Sequence, residues 1–313
     1  MPVEIPGTVI LGPTASGKTR LALALAMEFG GEIVSCDALQ VYRYMDIGTA
    51  KASKSEQERV RHHMLDVQDP DQEFSAGDYQ RMARTAIRGV HGRGHVPFVA
   101  GGTGFYLRAL IDGLFEGPGR SEELRARMRN IIRNRGPAVL HRALMKVDPL
   151  SAARIALNDA ERIIRAYEVH LLTGKNMTCW QLQPRNAFTG YRWLKIGIAT
   201  PRELLYRRID QRVDEMFLGG LLEEVQQLLQ RFPKSAQGFK AIGYRQAVAY
   251  LDGILPLADA IEETKKDSRH YAKRQLTWFR ADKSIVWLDG QLEPEELQSK
   301  AAALISDWLN DAG

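Results

Sequence analysis

The stretch GPTASGKT, residues 12–19, follows the apolar run TVIL and leads into a segment of strong helix formers that ends at Gly30-Gly31. It satisfies GxxxxGK[ST] in full: Gly12, Gly17, Lys18 and Thr19 hold the fixed positions, with Pro13, Thr14, Ala15 and Ser16 between them. A chain that passes from a buried strand through such a loop into a helix has few folds open to it. The loop turns backbone N–H groups inward around a polyphosphate, and the helix N-terminus adds a favourable dipole. Lys18 neutralises bridging and terminal oxygens, and the Thr19 hydroxyl is placed to ligate Mg²⁺.

The pattern recurs downstream. EIVSCD reads as a second strand with Asp37 at its end, and VPFVAGGTGFYLRAL as a strand at 96–100, a Gly-Gly-Thr turn and a helix. Further strands are predicted near 191–200 and 284–289. Strands alternating with helices imply an α/β fold with a parallel, doubly wound sheet. Ligands on such sheets sit beyond the C-terminal strand ends, where the phosphate loop, Asp37 and Gly101-Gly102-Thr103 all fall. Between 119 and 189 the strand signal stops. Three helical segments replace it: one from an N-cap at Ser121, one from Pro137, and one ending at Gly174. The expected organisation is a core part at 1–118, an all-helical insertion domain at 119–189, and a second core part at 190–313 with a basic C-terminal helix. TPRE predicts a capping box, with Thr200 at the N-cap, Pro201 at N1 and Glu203 at N3. It opens a helix that Gly219-Gly220 breaks.

Composition narrows the partners. No window approaches ~18 uninterrupted apolar residues, so no membrane span is expected. The N-terminal residues lack a basic n-region, and no signal peptide is expected. Two cysteines, Cys36 and Cys179, without a CxxC pair, argue against a disulfide scaffold or zinc site and fit a reducing cytoplasm. The net charge is +5. Arg120, Arg125, Arg127, Arg129, Arg133, Arg135 and Arg142 crowd one segment, and KKDSRHYAKRQLTWFR at 265–280 forms another. Either alone reads as a solvated helix face. Both, beside a phosphate loop, point to nucleic acid. On the second, Lys266, His270, Lys273 and Arg280 share a stripe, with Ala272, Leu276 and Phe279 roughly opposite. Trp278 and Tyr271 read as core or rim.

The usual companions of a nucleotide-hydrolysing loop are missing. VPFVAGG ends in glycines where an acid would hold Mg²⁺, and TKKD at 264–267 matches a guanine-specificity element only in letters, inside a helical pattern. Asp37 can be a helix cap or a general base facing the loop's ligand. Thr103 can be an N-cap or a proton donor in the same crevice. His62 and His63, as neighbours on a helix, would not face each other, and no third ligand is evident, so no metal site is expected there. Cys36 reads as a small buried residue.

GPTASGKT, SCDALQVYRYMDIGTAK, GGTGFYLRAL, DAERIIRAYEV, RRIDQRVDEMF, KAIGYRQ and AKRQLTWFR occur in one order. Together, from about residue 8 to 288, they resemble the bacterial tRNA dimethylallyltransferases. The resemblance implies transfer of a dimethylallyl group from its diphosphate to N6 of the adenosine 3′ of the anticodon. Dimethylallyl diphosphate would then occupy the loop, with Mg²⁺ as cofactor, and the anticodon stem-loop would be the macromolecular partner of a monomer. By the same resemblance Asp37 is the base, Thr103 supports it or the adenine, and Lys18, Thr19 and Arg212 act on the departing diphosphate. The adenine is flipped out of its stack. The implied tRNA contacts are Asp37, Ala38, Leu39, Gln40, Thr103, Arg125, Glu161, Arg162, Ile163, Ile164 and Arg165, then Lys240, Ala241, Ile242, Gly243, Tyr244 and Arg245. Two positions depart from the commoner pattern: Ala38 stands where a serine often follows the aspartate, and Glu161 where glutamine is common. The rival readings are an ATP-dependent small-molecule kinase, with the arginine-rich insertion as its lid, and a nucleotide-regulated RNA-binding protein without chemistry.

Overall fold

A computed structural model describes residues 4–311. Its six strands are β1 (Ile5–Leu11), β2 (Gly31–Cys36), β3 (His62–His63), β4 (Val96–Gly101), β5 (Tyr191–Ala199) and β6 (Ile285–Asp289). They form one parallel sheet in the order β3-β2-β4-β1-β5-β6. Alternation along β1 sends Ile10 to one face and Val9 and Leu11 to the other. On the first face Ile10, Ile33, Phe98 and Ile196 meet Leu21 and Leu25 of the helix Lys18–Glu28 and Leu297 and Ile305 of the helix Pro294–Asn310. On the second, Val9, Val34 and Val99 meet Tyr79 and Ile87 of the helix Ala76–Gly92 and Leu110 of the helix Gly104–Ile111. Helices on both faces make the sheet doubly wound, as the sequence predicts.

The chain divides into two compact units, one comprising the residues up to Ile111 and from Phe188 onward, the other Asp112–Ala187. The second is all-helical, with helices Glu122–Arg135, Pro137–Val147, Pro149–Arg154, Ala160–Thr173 and Met177–Gln181. Its edges differ from the expected 119–189. The irregular stretch before Ser121 belongs to it, because the Asn186 N–H donates to the Leu114 carbonyl (3.3 Å) and Phe115 packs by Trp180. Phe188, in contrast, is stacked on Tyr191 in the sheet core. Ser121, Asp148, Asp159 and Asn176 each cap a helix by accepting a backbone N–H.

Two local expectations fail. His62 and His63 form a short edge strand, not a helix, paired with Ile33 and Val34. The helix Arg202–Leu218 starts from Pro201 with no side-chain cap. Thr200 is drawn away because β5 runs to Ala199, whose carbonyl accepts from the Gly290 N–H (2.8 Å). The Thr200 hydroxyl is thereby buried against Gly290 without a hydrogen-bond partner among the described residues.

Candidate active site

Beyond the C-terminal ends of β1, β2 and β4 lies a cavity of about 640 Å³. The phosphate loop forms one wall through Thr14, Ala15, Gly17, Lys18 and Thr19, and Asp37, Ala38, Leu39 and Gln40 form another. Ile209, Arg212, Val213 and Met216 close it from the helix Arg202–Leu218, joined by Lys240, Ala241 and Ile242. Thr264, Ser268, Tyr271 and Gln275 line it from one face of the long helix Leu257–Arg280.

The loop is wound tightly. Gly17 sits at φ 89° and Ala15 at φ 62°, a left-handed backbone that an alanine tolerates only when its surroundings hold it. Gly17 is the N-cap of the helix Lys18–Glu28, which therefore has no side-chain cap. Its first N–H groups are the kind that anions satisfy. Burial, reinforced by the neighbouring Arg212, pulls the Lys18 pKa down to about 8, with Asp37 pulling the other way. Arg212 donates from Nη1 to the Thr14 hydroxyl (3.0 Å), and burial lowers its pKa too. Arg212 Nε and the Ser16 hydroxyl are buried without partners among the described residues. The Thr14 N–H donates to Gln275 Oε1 (2.9 Å), while Gln275 Nε2 donates to the Gly102 carbonyl (2.8 Å).

Asp37 follows β2 directly and accepts the Leu39 N–H on Oδ1 (2.9 Å). Thr103 stands at the N-cap position, its carbonyl accepting the Leu107 N–H (3.1 Å), but its hydroxyl is turned to the neighbouring strand end. Its hydroxyl accepts the Ala38 N–H (3.0 Å), so it braces the Asp37 turn. Burial, with Asp37 nearby, lifts the Tyr271 pKa to about 12. Burial lifts Cys36 to about 12 as well, which leaves its thiol inert. Gln40 is committed to the fold, bonding Ser35 (2.8 Å) and the carbonyls of Thr49 and Ala50.

The DIGTAK segment is held by charge. Lys51, its ammonium almost wholly buried, binds Asp46 (2.5 Å) and Asp66 (2.7 Å). Glu224 accepts the N–H groups of Asp46 and Ile47 and the hydroxyl of Tyr244 (2.5 Å). Gly48 lies against the Tyr244 ring, where a Cβ would fall 2.4 Å from a ring carbon.

Several residues assigned to tRNA by resemblance are interior. Tyr244, Ile163 and Ile164 are fully buried, so their side chains have no face to offer RNA. Arg125 is buried in a bidentate pair with Glu168 (2.8 and 2.9 Å). Burial pushes Glu168 up, but Arg125, the Ser121 N–H and Arg165 outweigh it and hold the pKa at about 2. Arg165 folds back onto Glu168 and the carbonyls of Pro118 and Gly119. That leaves Glu161 and Arg162 as the exposed members of their group, Glu161 lying 3.4 Å from Arg129. Lys240 is exposed, and Arg245 is paired with Asp267. The stripe Lys266, His270, Lys273 and Arg280 is exposed along its length.

The sequence reading missed Gln275 and placed Tyr271 at the core or rim. The available signal was the spacing Thr264, Ser268, Tyr271, Gln275, which marks a third, polar face of the helix. Among the described residues, no group of three or more His, Cys, Asp or Glu could hold a metal ion, and no helix is long and apolar enough to cross a membrane.

A family model described as IPP transferase matches residues 40–282. The tRNA dimethylallyltransferase of Koribacter versatilis is 48% identical over 95% of this chain and 97% of its own length. That of Solibacter usitatus is 44% identical over 97% and 99%. Among solved structures, the full-length tRNA isopentenylpyrophosphate transferase of Bacillus halodurans matches with TM-score 0.73 and 38% identity, covering 99% of this chain and 98% of that one. A eukaryotic dimethylallyltransferase acting on tRNA matches with TM-score 0.80 and 27% identity, covering 98% and 80%.

Proposed function

The chain belongs to the tRNA dimethylallyltransferase family, and from that premise we propose that it moves the dimethylallyl group of dimethylallyl diphosphate onto N6 of the adenosine 3′ of a tRNA anticodon, releasing diphosphate. One observation carries the reading: the phosphate loop, an apolar wall of Ile209, Val213, Met216 and Ile242, and the carboxylate of Asp37 share one cavity. Diphosphate, hydrocarbon and acceptor amine need those three surroundings.

The chemistry follows from the residues. The adenine amine is a weak nucleophile, its lone pair delocalised into the ring. As N6 bonds to the first carbon of the dimethylallyl group, the carbon–oxygen bond to diphosphate breaks and its electron pair leaves on oxygen. Asp37 accepts the N6 proton. Thr103 keeps the Asp37 turn in place through the Ala38 N–H. Negative charge gathers on the diphosphate, where Lys18, the loop N–H groups and Arg212 stabilise it. The unpartnered Arg212 Nε and Ser16 hydroxyl, together with the uncapped helix, fit an anion at the loop. Mg²⁺ belongs to this reading: the Thr19 hydroxyl and the diphosphate oxygens would hold it, and it supplies further neutralisation of the leaving group. An adenine stacked in a loop cannot enter the cavity, so the base is flipped out. Action as a monomer belongs to the same proposal, and two free cysteines fit a cytoplasmic protein.

The test is incubation with Mg²⁺, dimethylallyl diphosphate and unmodified tRNA, followed by nucleoside digestion and mass measurement. The expected product is a prenylated adenosine. Consumption of ATP with no prenylated nucleoside would favour the kinase reading and overturn this one.

A further inference from the structure

We propose that Gln275 is a positioning residue that fixes the leaving-group side and the base side of the site to each other; the inference rests on the transfer reading of this cavity. Its amide is almost fully buried and uses both ends. Oε1 accepts from the Thr14 N–H, and Nε2 donates to the Gly102 carbonyl. Thr14 in turn orients Arg212 through its hydroxyl, and Arg212 faces Lys18 across the site of departing charge. Gly102 precedes Thr103, whose hydroxyl holds the Ala38 N–H beside Asp37. One side chain therefore spans two chains of contacts, Gln275–Thr14–Arg212 and Gln275–Gly102–Thr103–Ala38.

The geometry selects glutamine. Only a neutral amide accepts at one end and donates at the other over this span. A Cβ at Gly102 would fall 2.2 Å from Nε2, so the turn is shaped to admit the amide. Both partners are backbone groups, the bond to the Gly102 carbonyl is buried, and leaving either group unpaired favours a local rearrangement of the loop or the turn. Displacing a reacting group by about 1 Å lowers a rate by about 10²-fold. The same helix carries Lys266, His270, Lys273 and Arg280 on its exposed face. Gln275 thus ties a helix with a polyanion-facing surface to the donor loop.

The test uses the full chain, with inorganic diphosphate plus Mg²⁺ as the donor-side probe and an anticodon stem-loop as acceptor. Gln275→Met keeps the length and removes both hydrogen bonds. It is expected to weaken diphosphate binding about 10-fold and lower kcat about 10²-fold, with the stem-loop KM within about twofold of wild type. Gln275→Glu keeps shape and the Thr14 contact but sets a carboxylate oxygen against the Gly102 carbonyl. It is expected to lose kcat in the same direction, with circular dichroism and a thermal melt recording the fold of both variants. Wild-type diphosphate affinity and kcat in either folded variant would overturn the proposal. So would a raised stem-loop KM with kcat unchanged, which would give Gln275 to the RNA. If wild type binds diphosphate in a Gln275-dependent way yet prenylates no RNA, the transfer reading fails and the positioning role stands.

Discussion

Lys18 offers a quantitative test of how the phosphate loop stores its affinity. In the ligand-free protein the ammonium is confined by burial and by Arg212, and its pKa falls from 10.5 to about 8. At about 1.4 kcal/mol for each tenfold change in proton affinity, that is a penalty of about 3 kcal/mol on the folded state at neutral pH. The sign is fixed by linkage. The unfolded chain keeps the proton to 10.5, while the folded protein gives it up near 8. Below about 8 both states are protonated and the full penalty stands. Between these pH values the unfolded state binds more protons, so this group's contribution makes stability rise with pH. Lys18→Met removes the penalty. The ligand-free variant should melt about 5 °C or more above wild type, given about 2 °C or more for each kcal/mol in a chain of this size. It should also lose the stabilisation that inorganic diphosphate confers on wild type. At about pH 9 wild type should take up protons on binding diphosphate, and subtracting the variant removes protons belonging to diphosphate itself. Scanning calorimetry and titration calorimetry in buffers of different ionisation enthalpy measure both. A variant that melts at or below wild type, with no excess proton uptake in wild type, would refute the reasoning.

Other perturbations isolate other parts. Asp37→Asn is expected to bind an anticodon stem-loop within about twofold of wild type while transfer falls about 10²–10⁴-fold, measured under single-turnover conditions; unchanged transfer would remove Asp37 as the base. Glu32 is buried at the sheet end opposite the cavity, and Arg93 (2.8 and 2.7 Å), then His63 (2.6 Å) and His95 (2.7 Å), hold its pKa far below the carboxylate range against burial. Its stabilising contribution is therefore present above about 4.5 and lost as pH falls below it, so Glu32→Gln should lower stability by about 3 kcal/mol at neutral pH and flatten the acid limb of a urea-stability profile. Gly48→Ala sets a methyl 2.4 Å from the Tyr244 ring and should destabilise the fold by about 1–3 kcal/mol in urea unfolding.

What the sequence made legible was local or periodic. The phosphate loop, its strand and helix, and the placing of Asp37 at the exit of β2 follow from contiguous residues, and the helical unit follows from the loss of strand signal. What stayed hidden depends on partners far along the chain. His62 and His63 join a strand only because β2 offers an edge to pair with, and a two-residue strand has no periodicity to detect. Thr200 fails as a cap because Gly290, 90 residues later, closes over it. Ile163, Ile164 and Tyr244 lie within motifs that also carry exposed residues, so a motif read as a contact surface mixes core with surface. Helical spacing puts Gln275 on a polar face but cannot reveal what it holds, since its partners are backbone groups of Thr14 and Gly102.

The packing of the glycine turn sets this loop apart from one of the nucleotide-hydrolysing kind. The strand beside β1 that would carry an Mg²⁺-binding acid is β4, and it ends at Gly101. A Cβ there would fall 2.1 Å from the Cys36 carbonyl oxygen of β2. At Gly104 it would fall 2.1 Å from the indole of Trp278, which lies across the turn. An acid at the end of β4 is thus excluded by backbone and ring packing. The carboxylate of this site comes instead from Asp37, directly after β2, which lines the same cavity as Lys18 and Thr19. At the leading end of the loop, the Thr14 N–H and hydroxyl are already bonded to Gln275 and Arg212. A cradle with its leading end committed to protein partners and its acid moved one strand away is poorly arranged to activate water against a terminal phosphate. It suits the proposed transfer, in which the loop holds a diphosphate while Asp37 accepts a proton from the incoming amine.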